Sequence, residues 1–413
     1  MKSTIVAPAA SRLPREVWVL VTVSFVIALG FGIVAPALPT FARSFDVSVT
    51  AASIVISSFA FMRLAFAPIS GKLVSALGER PIFIWGITVV GLSTGACAFA
   101  ANYWQLLILR SLGGVGSTMF TVSAVALLIR LTPPALRGRS TSMWSSSFLL
   151  GGVTGPLAGG GLIGISLRAP FVVYAIALFA AAAVAWLCLR RSPVVGVVPT
   201  AEIPTLTVRA AFGQPAYRAA LASNFANGWA VTGVRVSLVP LFVVEVLHRA
   251  ESLAGLALSV FAAGTVAVLL FSGKLADSLG RRPPMVIGLL VTGSATIWLG
   301  FTSGMPQFLA AALIAGAGTG LITPAQGATV ADVIGSHAKG GPALAVAQMT
   351  ADIGAILGPV ATGLLADKLS YLAAFILTGS VSLLAAVVWL RSPEPLVSRR
   401  AQRAPTPINA PTR

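Results

Sequence analysis

Apolar residues gather along this chain in twelve long runs, separated by short segments in which arginine, lysine, glycine and proline collect. The runs cover residues 17–41, 47–69, 82–101, 104–131, 140–165 and 169–189, then 219–246, 254–276, 283–303, 306–330, 343–366 and 371–390. A helix rising 1.5 Å per residue needs roughly 20 such positions to cross a hydrocarbon layer about 30 Å thick, so each run is predicted to span a membrane. Helix is the expected form because a lipid-exposed backbone must satisfy its own N–H and C=O groups. The alternating pattern of a membrane β-barrel is absent.

The pattern divides in two. Gly71, Gly78, Arg80, Pro81, Gly86, Gln105, Gly114 and Gly116 reappear 202 positions later as Gly273, Gly280, Arg282, Pro283, Gly288, Gln307, Gly316 and Gly318. Six spans per half start both halves on the same side, which predicts an all-α integral membrane protein with twelve transmembrane helices in two parallel six-helix repeats. The predicted divisions are an N-terminal segment 1–16, a first bundle 17–189, a linker 190–218 carrying four arginines and four prolines, a second bundle 219–390, and a tail 391–413.

Composition agrees, with 56% hydrophobic and 9% charged residues among 413. That balance excludes a soluble enzyme or a large domain outside the membrane. The net charge of +17 would suit a nucleic-acid-binding face, but its distribution points elsewhere. Of the 28 Lys and Arg, 21 fall on the side of the chain ends, four on the opposite side and three deep in spans. Basic residues accumulate in cytoplasmic loops, so both ends are predicted to be cytoplasmic, facing anionic lipid, with no nucleic-acid partner. Cys97 and Cys188 lie inside apolar runs and form neither a disulfide framework nor a metal-ligand cluster; no metal or cofactor is expected.

Four motifs stand out. The stretch Gly71-Lys72-Leu73-Val74-Ser75-Ala76-Leu77-Gly78-Glu79-Arg80 is matched by Gly273-Lys274-Leu275-Ala276-Asp277-Ser278-Leu279-Gly280-Arg281-Arg282. Arg110 opens Arg110-Ser111-Leu112-Gly113-Gly114-Val115-Gly116, with Ala312 at the corresponding place in the second half. Gly151, Gly155 and Gly159 recur every fourth residue around Pro156, a stripe without side chains along which another helix packs closely. Gly354, Gly358, Pro359 and Gly363 form a looser counterpart.

These motifs resemble those of the major facilitator superfamily, and the stretch 151–160 resembles that family's antiporter motif. Ser75 stands where the loop motif carries an acid, while Asp277 keeps it. The resemblance implies secondary transport by alternating access, with a proton-coupling role for Arg110 and protons as the coupling ion. It further implies efflux of a small organic compound by a monomer in a bacterial cytoplasmic membrane. Proton-coupled metabolite import, uniport, or a receptor or scaffold that moves nothing are the alternatives. The enzymatic reading lacks both a phosphate-binding loop and a nucleophile–base arrangement.

Ionisable residues deep in a span are costly and mark function. Here they are Arg63, Arg110, Arg235 and Asp352. Arg63 and Asp352 are predicted to pair across the halves and to gate the side of the chain ends. Arg110 and Arg235 are expected to share one aqueous cavity that prefers neutral or anionic compounds. Asn224, Asn227, Gln326 and Gln348 are polar candidates for the same cavity.

Overall fold

The computed structural model describes residues 13–132, 136–190, 207–334 and 341–394. Among the described residues, twelve helices are long and apolar enough to cross a membrane. In chain order they are α1 (Arg15–Arg43), α2 (Val49–Leu77), α3 (Glu79–Cys97), α4 (Tyr103–Leu131), α5 (Arg137–Ile163) and α6 (Ala169–Leu189). The second half holds α7 (Pro215–Val246), α8 (Ser252–Leu279), α9 (Arg282–Gly300), α10 (Met305–Ile334), α11 (Gly341–Lys368) and α12 (Tyr371–Leu390).

Local chemistry sets the boundaries. The Ser48 hydroxyl accepts from the Ala51 N–H and starts α2, and Ser370 does the same for α12. At α4 the Asn102 side chain accepts from the Gln105 N–H, while the Gln105 side chain accepts from the Ala101 N–H, a reciprocal cap. Gly78 and Gly280 end α2 and α8 at φ values of 88° and 102°, a region that glycine enters without a Cβ clash. α1 breaks at Ala35–Pro36 because proline has no N–H to continue the ladder. α7 widens into π-helix over Trp229–Leu238 and again over Phe242–Val246.

Several helices exceed the apolar runs that announced them. α2 continues to Leu77 rather than ending near 69, because its last turns leave the hydrocarbon and no longer need to be uniformly apolar. The second bundle likewise begins early: a short helix at Val208–Phe212 and the first turn of α7 occupy residues assigned to the linker. The remainder of that linker, the first twelve residues and most of the tail lie outside the described residues.

Both halves pack alike. α5 lies on α1 as α11 lies on α7, α4 contacts α2 and α3 as α10 contacts α8 and α9, and α6 lies on α3 as α12 lies on α9. The halves meet through α2 with α11 and through α5 with α8. One buried apolar cluster crosses between the halves on the side away from the chain ends, joining Leu38, Phe41, Val49 and Val55 to Leu241, Phe242, Leu258 and Phe375. On the side of the chain ends the second half keeps a separate cluster around Tyr217, Met285, Leu289, Ala347 and Trp389. The halves are therefore sealed on the far side and parted on the side of the chain ends.

Candidate functional site

Where the parted side narrows to the seal, a cavity of 210 Å³ is bounded by α1, α2, α4, α7 and α11. Its polar lining is Arg63, Arg110, Asn227, Gln348 and Asp352. Arg63 Nη2 lies 3.1 Å from Asp352 Oδ1, and Gln348 Nε2 donates to the same oxygen at 3.2 Å. The Thr118 hydroxyl donates to the Arg63 carbonyl at 2.9 Å and fixes α4 against the turn of α2 that carries this arginine. The Arg110 guanidinium sits over the Phe59 ring at 4.2 Å and near Phe31 at 5.9 Å. Arg110 is 5% exposed and its Nε has no hydrogen-bond partner among the described residues. Aromatic faces thus stabilise this cation without discharging it.

The Arg63–Asp352 pair exists, but at a different depth from the one expected. In the apolar run 47–69 Arg63 lies six residues inside the end; in the 29-residue α2 it is the central residue. The pair joins the halves while the side of the chain ends is parted, so it forms the innermost contact of the far-side seal and does not close the opposite side. Outward from it, the Ser57 hydroxyl donates to the Ile356 carbonyl at 2.8 Å. The Asp367 carboxylate accepts from the Val49 and Thr50 N–H groups at 2.9 and 2.7 Å, at the positive N-terminus of α2. Arg43 Nε donates to Glu245 Oε1 at 2.7 Å, and the Tyr371 hydroxyl donates to Glu245 Oε2 at 2.7 Å.

Arg235 does not share the cavity of Arg110. It lines a separate space inside the second half, with its guanidinium 4.9 Å from the Phe261 ring. Asn224 and Gln326 hydrogen-bond to each other, joining α7 to α10. Asn227 and Gln348 alone of the four polar candidates reach the central cavity.

The glycine motifs separate into two kinds. A Cβ on Gly151, Gly155 or Gly159 would strike the α1 backbone between Phe25 and Ile33, so the stripe fastens α5 to α1 within one half, with Pro156 beside Gly32. Gly160 instead meets Ser252 and Gly255 across the halves. The counterpart repeats this: Gly354 and Gly358, beside Pro359, lie on the α7 backbone, while Gly363 meets Thr50 and Ser53 of α2. Gly71 and Gly273 lie within α2 and α8 with open space around them, so neither belongs to a tight turn in this state. The Ser75 hydroxyl only returns to the Gly71 carbonyl, at 3.0 Å.

Two of the loop bases, Arg281 and Arg282, make side-chain contacts inside the protein. Arg281 Nε contacts Asp332 Oδ2 at 3.1 Å, and the Arg281 and Arg282 N–H groups donate to the Glu394 carboxylate. In the first half Arg130 Nη1 contacts Glu79 Oε1 at 2.5 Å. The 202-residue offset carries Glu79 onto Arg281 and Arg130 onto Asp332, so the halves hold one ion pair at equivalent places with its polarity reversed. Applying the offset to charged positions as well as glycines exposes this pairing in the sequence.

The Major Facilitator Superfamily profile matches residues 20–234 and again 220–411, one match for each half. The chain belongs to the Major Facilitator Superfamily. Among relatives within it, the class H tetracycline resistance protein of Pasteurella multocida is 24% identical over 402 residues, 91% of this chain and 92% of that protein. The multi-drug resistance efflux pump PmrA of Streptococcus pneumoniae is 25% identical over 365 residues, 86% of this chain and 90% of its own length. A bacterial homologue of the human lysosomal transporter Spinster, solved inward-facing and unoccupied, aligns with a TM-score of 0.73 at 17% identity over 95% of this chain and 98% of that one. A peptide-complexed POT family transporter aligns with a TM-score of 0.73 at 13% identity over 91% and 96% of the two chains. The structural likenesses show the fold, the superfamily match makes the protein a membrane transporter, and its central cavity lies between the two repeats.

Proposed function

We propose that the protein exports small neutral or anionic amphipathic compounds in exchange for protons, with both chain ends cytoplasmic in a bacterial inner membrane. The observation that carries the substrate charge is the central cavity, where two guanidinium groups face a single carboxylate. A permanent cation would meet a net positive lining, whereas an anion gains from Arg110, which has no carboxylate partner among the described residues. The drug and tetracycline resistance relatives support export over import. Asp352 is the one carboxylate lining the cavity and is the proposed proton carrier. With the chain ends cytoplasmic, the state seen is open to the cytoplasm, and the basic segments there face anionic lipid.

Inverted vesicles containing the purified protein test this directly. Substrate accumulation should follow a proton gradient and disappear on its collapse, with organic acids competing better than quaternary ammonium compounds. Flux indifferent to the gradient would end the antiport reading, and preferential competition by permanent cations would end the charge preference.

A further inference from the structure

The 202-residue offset places Phe59 on Phe261, and each of these rings carries an arginine. In the first half the arginine comes from α4 as Arg110; its counterpart in α10 is Ala312, and the arginine over Phe261 comes instead from α7 as Arg235. Replacing an arginine by alanine at position 312 leaves room, and Ala312 does line the space beside Arg235. Arg235 reaches it from the π-helical stretch Trp229–Leu238, a widened turn of the kind often found at functional sites.

The cavity so formed has a volume of 20 Å³ and is bounded by α7, α8, α9 and α10 of the second half. Its polar lining is Arg235, Thr292, Thr296 and Thr319; the other lining residues are apolar, and no carboxylate is among them. Glu245, ten residues along the same helix, is occupied by Arg43 and Tyr371, and Asp352 by Arg63 and Gln348. Arg235 is half-buried, a guanidinium does not shed its charge, and a ring face recovers only part of what partial loss of water costs a cation. A space of this size admits one particle somewhat larger than water, which needs roughly 10–15 Å³, and is far below the roughly 300–1,000 Å³ of an organic ligand site. Thr292 and Thr319 both turn their hydroxyls to the Ala315 carbonyl, at 3.3 and 3.1 Å, and are free to rotate toward a better acceptor.

We propose that this cavity is a binding site for a small inorganic anion of the charge and size of chloride, held by Arg235 with the hydroxyls of Thr292, Thr296 and Thr319. The ion neutralises the arginine and ties α7 to α9 and α10 inside the second half. It is distinct from the central cavity, so it does not compete with an organic substrate for space.

Thermal unfolding of the full-length protein in detergent, titrated with sodium chloride or bromide against gluconate at constant ionic strength, provides the test. The expected result is a saturable rise in Tm with chloride and bromide and none with gluconate, which is too large for the cavity. Arg235→Leu should abolish the rise, and Thr296→Val should weaken the apparent affinity by about tenfold, the usual scale of one hydrogen bond to a charged group. Crystals soaked in bromide should show its anomalous signal beside Arg235. If Arg235→Leu does not fold, Thr296→Val and the bromide position decide. An equal rise in gluconate, a saturable rise retained without Arg235, unchanged affinity in Thr296→Val, or bromide absent from the cavity each overturns the proposal. Since every readout is binding without flux, failure here leaves the transport reading standing, and failure of proton-driven flux leaves this one.

Discussion

Neutralising Asp352 as asparagine removes one member of a pair whose atoms are 3.1 Å apart at the innermost point of the far-side seal. Coulomb's law at an effective dielectric of about 20 gives roughly 5 kcal/mol for two unit charges at that separation. The side chains remain 31% and 15% exposed, so the desolvation term and solvent screening both reduce the net value. Between the roughly 0–1 kcal/mol of surface pairs and the 3–5 of fully buried ones, about 1–3 kcal/mol is expected. A coupling of that size changes a two-state equilibrium by about 5–150-fold. Asp352→Asn and Arg63→Gln should each shift the population by that factor toward states with the far side open, read by spin-label distances across α2 and α11. The double mutant should fall short of the summed effects, and the exchanged pair Arg63→Asp with Asp352→Arg should recover part of the sealed population. Simple additivity, or a shift in the opposite direction, would refute the reasoning.

Gly155→Leu drives a side chain into the α1 backbone inside one half, so it should lower the yield of folded protein, with overpacking costing about 1–3 kcal/mol, as read by size-exclusion chromatography and Tm. Gly160→Leu acts between the halves at Ser252 and Gly255 and should instead leave Tm nearly unchanged while reducing crosslinking across the far-side seal. Gly71→Trp and Gly273→Trp meet open space in this state, so Tm should hold while transport falls, the bulky rings blocking closure on the side of the chain ends. Replacing Glu79 by arginine should lower stability by forcing it against Arg130, and adding Arg130→Asp should restore it by copying the polarity of the second half; Tm checks both steps.

The number of spans and their division into halves were legible because the bilayer sets a fixed length scale and the repeated glycines keep one offset. Helix ends were less legible, since turns beyond the hydrocarbon answer to caps and water instead of lipid. That difference moved Arg63 from six residues inside the end of its run to the middle of α2 and changed which seal its pair belongs to. The pair itself was predictable, because Asp352 was the only acid deep in a span and Arg63 the basic residue nearest its depth. Arg235 misled because depth along a span says nothing of which face of the helix a residue presents. The π-helical stretch of α7 changes which face each residue presents, and no residue type in Trp229–Leu238 announces it. The polar partners Asn224 and Gln326 satisfied each other, an outcome that composition cannot distinguish from a cavity lining.

The 202-residue offset also explains how a molecule of two similar halves acquires a sealed side. Arg43 and Glu245 are equivalent positions at the ends of α1 and α7, and they face each other across the interface. A strictly repeated sequence would set two arginines or two glutamates there, and like charges in contact would push the halves apart. The same holds within each half for Glu79 with Arg130 and Arg281 with Asp332, except that there each pair is internal and either polarity serves. An internal pair can therefore exchange its charges freely between halves, whereas a pair between equivalent positions requires the halves to differ. Asp367 adds a second difference: it caps the N-terminus of α2, while the position 202 residues earlier is Ile165, so the start of α8 has no matching carboxylate. The charged contacts of the far-side seal consequently depend on residues in which the two repeats have diverged, whereas Gly86, Gly114 and Gly116, which pack within the first half, are matched by Gly288, Gly316 and Gly318, which pack within the second.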